Sequence, residues 1–123
     1  MNPGDFTHTS SMVVGLNDTA AVMGSGDMPV LATPALVALM ENAAMLTVRP
    51  LLAEGETTVG AHIDVKHWAP SPIGAEIKSI AMLQERNGKQ LTFKIEATQG
   101  DKLIGEAVHT RYIVNRQQFL TKI

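Results

Sequence analysis

Residues 31–46, LATPALVALMENAAML, read as a helix made almost wholly of apolar side chains with one carboxylate, Glu41, in its middle. A helix that is apolar on more than one face cannot stand in water and must be wrapped by other elements. Leu36, Val37, Leu39, Met40, Ala43, Ala44, Met45, Leu46 and Val48 supply that surface, Thr33 is placed to cap the start, Pro34 suits the first turn, and Arg49-Pro50 lies near the end. A charge inside such a helix costs several kcal/mol unless it is paired, snorkels to solvent, or serves a purpose.

The rest of the chain supplies the wrapping. Asn87-Gly88 between strand-like runs is a strong hairpin signal, and QGD at 99–101 marks another turn. Strands are therefore expected at roughly 75–86, 89–99 and 102–114. TTVGAHIDVKH at 57–67 precedes them, and SMVVGLN near 11–17 opens the series. GSGDMP at 24–29 and APSPIG at 69–74 are breaker loops, and 1–8 and 115–123 are expected to be loose ends. One helix enclosed by a curved, largely antiparallel sheet of about five strands is an α+β architecture, and 123 residues make a single domain, 1–123.

Composition excludes several classes. A net charge of −2 offers no broad basic surface for nucleic acid, and the absence of cysteine removes disulfides, thiolate metal sites and a cysteine nucleophile. No segment reaches the length of a membrane span and the first residues lack a basic stretch followed by an apolar run, so the expected location is the cytoplasm, with no membrane partner.

Glu41 and His67 are the candidate chemical groups. Val59, Ala61, Ile63 and Val65 alternate onto one face of their strand and position 67 continues that parity, aiming His67 toward the core side at the strand's end. Its plain alternative is a core-edge histidine bonded to a backbone carbonyl. His62 and Asp64 have the opposite parity, so they do not join His67 as metal ligands, and no metal is expected. Thr33 is explained by capping alone, although its hydroxyl also suits a ligand oxygen. Gly60, inside a β-rich run, marks a bulge, a bend or a close approach of ligand to backbone. Thr33 and Glu41 lie about 12 Å apart along the helix axis, so a shared site needs a bridging residue or a second subunit.

The ordered set VLATP, a glutamate eight residues past the threonine, TVGAHIDVKHWAPSPIG, and LTFKIEATQGDKLIGEAVHTR resembles the fluoroacetyl-CoA thioesterase-like branch of the hotdog-fold superfamily over residues 12–114. The resemblance implies a long helix wrapped by a curved antiparallel sheet, and a homodimer with acyl-CoA sites at the subunit interface. It also implies a catalytic set falling on Thr33, Glu41 and His67, with Gly60 near the thioester carbonyl and Arg111 as the late arginine of the substrate site.

The expected reaction is hydrolysis of a short-chain acyl-CoA thioester, without a cofactor. Glu41 acts as general base or nucleophile, His67 moves the proton, and Thr33 and the Gly60 N–H face the developing oxyanion. A non-catalytic acyl-CoA-binding protein and a hydratase or dehydratase are the alternatives.

The chain departs from the pattern in one respect. Members that handle fluoroacetyl groups are expected to cover the acyl pocket with aromatics just upstream of the ATP motif, where this chain reads MGSGDMPV. Only Met23, Met28 and Val30 offer apolar cover there, so a short and even polar acyl group is expected, with little discrimination between acetyl and fluoroacetyl.

Overall fold

The computed structural model describes residues 2–123. Five strands, β1 (Thr7–Val13), β2 (Glu56–His67), β3 (Glu76–Asn87), β4 (Gln90–Gln99) and β5 (Lys102–Asn115), form one antiparallel sheet in the order β1-β3-β4-β5-β2. A short helix α1 (Ala20–Met23), the long helix α2 (Thr33–Thr47) and a terminal helix α3 (Arg116–Thr121) complete the chain. The sheet curls around α2, which packs chiefly against β1 and β3.

The alternation of the strands makes the core. Ile77, Ala81 and Leu83 of β3 and Leu91, Phe93, Ile95 and Ala97 of β4 turn inward and are buried against Leu36, Met40, Ala43 and Ala44 of α2. Each such large side chain stabilises the fold by about 1.5–3 kcal/mol through the apolar surface it removes from water. The β3–β4 hairpin closes through Gly88, which takes φ +64° in the left-handed region where a side chain would be strained. One stripe of α2 has no cover: Val37, Glu41, Met45 and Leu46 are only half-buried, and Ala38 and Asn42 are exposed.

Four expectations are corrected. The first strand is Thr7–Val13 rather than 11–17, because pairing with β3 (Thr7 opposite Met82, Val13 opposite Glu76) selects a polar run over the more apolar one that follows it. Residues 7–8 are therefore strand, and 116–121 form a helix capped by Asn115, whose side chain accepts from the Gln118 N–H. Ala32, not Thr33, is the N-cap of α2, since the Leu36 N–H already donates to the Ala32 carbonyl. The helix ends at Thr47, and Arg49–Leu51 is a separate 3-10 turn.

The fourth correction concerns β2. Its register against β5 slips between Gly60 and His62, so Ala61 is an extra residue and the parity reverses there. On the near side the even position Thr58 is buried and Gly60 faces the Glu41 side chain, whereas beyond the bulge Ile63 and Val65 pack on the core. Val59 and Ala61 do not share the inward face with them, although His67 does.

Candidate active site

The start of α2 is fixed by its flanks. The Leu31 N–H donates to the Ser71 carbonyl at 2.9 Å and the Ala32 N–H to the Asp18 carbonyl at 2.8 Å, which brings the first helical turn against the end of β2. Thr33, relieved of capping, places its Oγ1 2.8 Å from His67 Nδ1. The opposite ring nitrogen, Nε2, is buried and has no hydrogen-bond partner among the described residues. Burial lowers the His67 pKa, partly offset by the nearby Ala69 backbone, so the ring stays neutral below the ordinary histidine range.

Two turns along α2, Glu41 reaches the near end of β2. A Cβ on Gly60 would lie 2.8 Å from Glu41 Oε2, so any side chain there would push this carboxylate out of its position. Glu41 Oε2 is 3.8 Å from Arg111 Nη1, with side-chain exposures of 40% for Glu41 and 8% for Arg111. The carboxylate is thus half-open to solvent while its cationic neighbour is buried.

Arg111 is held on three sides. Its Nε donates to Thr58 Oγ1 at 2.8 Å, its Nη2 to the Thr58 carbonyl at 3.0 Å, and its Nη1 to His109 Nε2 at 3.2 Å. His109 Nδ1 must be the protonated nitrogen, because it donates to the His62 carbonyl at 2.6 Å, which leaves Nε2 as the acceptor that Arg111 needs. The His109 pKa is lowered, first by burial and also by Arg111, against the opposing pull of the His62 carbonyl and Glu41. Burial also lowers the Arg111 pKa, opposed by Glu41.

The expected residues therefore fall into two clusters. Glu41, Gly60 and Arg111 meet beside the bulge of β2, and Thr33 and His67 meet at the strand's end. His62 and Asp64 are exposed on the strand's opposite face, where Asp64 pairs with Lys66 at 3.6 Å. Thr58 and His109 escaped the sequence reading, although Ala107, His109, Arg111 and Ile113 are a period-two run that puts His109 on the inward face beside Arg111.

A pocket of about 260 Å³ adjoins Thr33 and His67, with Val30, Leu31 and Trp68 among its walls. Met23 and Met28, expected as cover, are exposed and do not line it. A larger depression of about 340 Å³ lies among Asp64, Lys66, Lys94 and Glu106 and includes none of the site residues.

Comparison with known proteins identifies the family of the chain. The family described as fluoroacetyl-CoA-specific thioesterase matches residues 14–117. The fluoroacetyl-CoA thioesterase of Streptantibioticus cattleyicolor is 33% identical over 94 residues, covering 76% of this chain and 68% of that protein. A mutant of the fluoroacetyl-CoA thioesterase solved in complex with acetyl-CoA superposes with a TM-score of 0.91 at 28% identity, covering 99% of this chain and 96% of that one. A thioesterase-superfamily protein of Thermus thermophilus shares the fold at 24% identity and a TM-score of 0.88, covering 95% and 87% of the two chains. The matched span takes in both clusters, from Thr33 to Arg111, and the chain is a thioester hydrolase of the fluoroacetyl-CoA-specific thioesterase family.

Proposed function

We propose that the protein hydrolyses a short-chain acyl-CoA thioester to the free acid and CoA at a site completed by a second copy of the chain. One observation carries this reading: the two clusters sit seven residues apart along β2, at Gly60 and His67, and β2 is an edge strand whose outer side has no partner among the described residues. An open edge invites another strand. Antiparallel pairing of β2 with β2 of a second copy, about a two-fold axis passing between Ile63 and Asp64, sets Gly60 of one copy opposite His67 of the other. It also covers the half-buried stripe of α2 and builds two equivalent sites, as a two-fold dimer requires.

In such a site the Glu41 carboxylate, steered by Arg111, acts on the thioester carbon by activating water or by attacking directly. Water activation forms the new carbon–oxygen bond as the C–S bond breaks, and the CoA sulfur takes up a proton. Direct attack breaks the C–S bond to give an acyl-glutamyl anhydride, CoA leaving as the thiolate and taking up a proton, and water then opens the anhydride to the same acid and restores the carboxylate. The neutral His67 ring, bonded to Thr33, relays the proton, and the Gly60 N–H and Thr33 hydroxyl are the donors for the oxyanion. The size of the pocket beside Thr33 and His67 supports a short acyl group.

Thiol release from a panel of acyl-CoAs tests the reaction, and trapping of a covalent acyl-Glu41 species by hydroxylamine, together with ¹⁸O appearing in Glu41 rather than in the acid after single turnover in ¹⁸O-water, marks direct attack. No hydrolysis of any short acyl-CoA by the folded dimer overturns the proposal.

A further inference from the structure

Trp68 follows His67 directly and, as a residue, is 59% exposed. It lines the pocket that holds Thr33 and His67, where a large apolar ring offers contact area to whatever enters. The backbone beneath it is anchored, because the Trp68 main-chain N–H donates to the Ile104 carbonyl at 2.7 Å and the adjoining Ala69 N–H bonds the same oxygen. It is the only tryptophan of the chain, and no other aromatic occurs between Phe6 and Phe93, so the loop ahead of α2 has none to offer. Val30 and Leu31 add apolar lining to the same pocket, and the Thr33 hydroxyl and His67 ring engage one another.

We infer that Trp68 is the apolar wall of the acyl-binding subsite, supplied from the end of β2 in place of the upstream loop. The subsite therefore selects acyl groups with a hydrocarbon body beyond two carbons. This deepens the hydrolytic reading above and rests on it. The expectation of an open site suited to polar acyl groups came from the upstream loop alone, and Trp68 reverses it. An apolar pocket distinguishes substrates differing by a methylene by roughly 10-fold or more, so kcat/KM for butyryl-CoA is expected to exceed that for acetyl-CoA by at least about 10-fold.

Because there is one tryptophan, intrinsic emission reports on Trp68 alone. In the Glu41→Gln variant, which holds thioester without rapid turnover, butyryl-CoA is expected to shift the emission to the blue more than acetyl-CoA does, and free CoA to leave it unchanged. In the otherwise unaltered enzyme, Trp68→Ala is expected to bring the butyryl-to-acetyl preference down by about 10-fold, and Trp68→Phe to keep most of it. Should the alanine variant not fold, the emission titration and the phenylalanine variant still decide. An equal response to free CoA places the indole on the CoA moiety and overturns the proposal. So does a preference unchanged in Trp68→Ala, or an emission already blue and unresponsive to every thioester, which places the ring in a subunit interface. An acyl-dependent shift in a protein that hydrolyses nothing keeps the subsite and removes the hydrolytic reading instead.

Discussion

Gly60→Ala separates the chemistry of this protein from its folding. The new Cβ would stand 2.8 Å from Glu41 Oε2, 3.2 Å from Arg111 Nη1 and 3.4 Å from His109 Cε1. Carbon–oxygen contacts settle at about 3.3–3.6 Å, so the carboxylate must retreat by roughly 0.5–0.8 Å. A misplacement of about 1 Å in a catalytic group costs about 10²-fold, and kcat is therefore expected to fall by about 10- to 10²-fold. Folding should hardly notice. Gly60 does not take a positive φ, so alanine fits the backbone, and the loss of freedom in the unfolded chain contributes about 0.4–1 kcal/mol in its favour. The melting temperature should accordingly stay within about 4 °C of the parent. Disulfide-reagent detection of released CoA suits the assay, because the protein has no thiol of its own to react. A variant with parental kcat would refute the claim that this glycine exists to admit Glu41, and a large fall in melting temperature would show that the bulge needs it instead.

Further outcomes are expected. Glu41→Gln should fold and lose at least about 10²-fold in turnover, the low end for a general base, and retained activity would return the carboxylate to a solvent-facing role. His67→Ala should also lose turnover while His62→Ala, on the exposed face, should matter less, and equal losses would defeat the two-face argument. Light scattering at micromolar concentration should give a dimer, a monomer being incompatible with a site shared across β2. Discrimination between acetyl and fluoroacetyl thioesters should stay below about 10³-fold, since a single small substituent in an apolar pocket is worth only about 1–3 kcal/mol. With pH, both His67 and His109 have pKa values lowered below the unfolded value near 6.5. Their contribution to stability is thus full above that pH and lost below it, as the unfolded chain takes up protons that the folded one refuses. His109→Gln should flatten the acid limb of a melting-temperature profile, and an unchanged slope would show that another group sets it.

What could be read from the residues was whatever depends on local period. β3, β4 and β5 fell within a residue or two of their observed spans because each alternates cleanly and is bounded by turn residues, and α2 was plain from its apolar run. What could not be read was set by contacts distant in sequence. β1 is a polar edge strand chosen by its neighbour β3, and Thr33 gives up the cap because the flanks of α2 are pinned to Asp18 and Ser71. The inserted Ala61 is visible only once β2 is laid against β5. Of the candidate site, the residue pattern singled out Glu41, His67, Thr33 and Gly60 and the family resemblance added Arg111, but the bonds that hold Arg111 through Thr58 and His109 required both strands to be in place.

The bulge in β2 acts as a phase shift. Upstream of Ala61 the inward register runs on even numbers and serves Glu41, and downstream it runs on odd numbers and serves Thr33. Removing that one residue, or adding another between Thr58 and His67, would leave the composition and nearly all of the sheet intact while rotating one set of groups through the strand to face outward. The loop at 24–29 lies outside that interval and can change in length without moving either set of groups. The ten residues from Thr58 to His67 cannot, and that fixed interval is where this scaffold's freedom to diverge should be smallest.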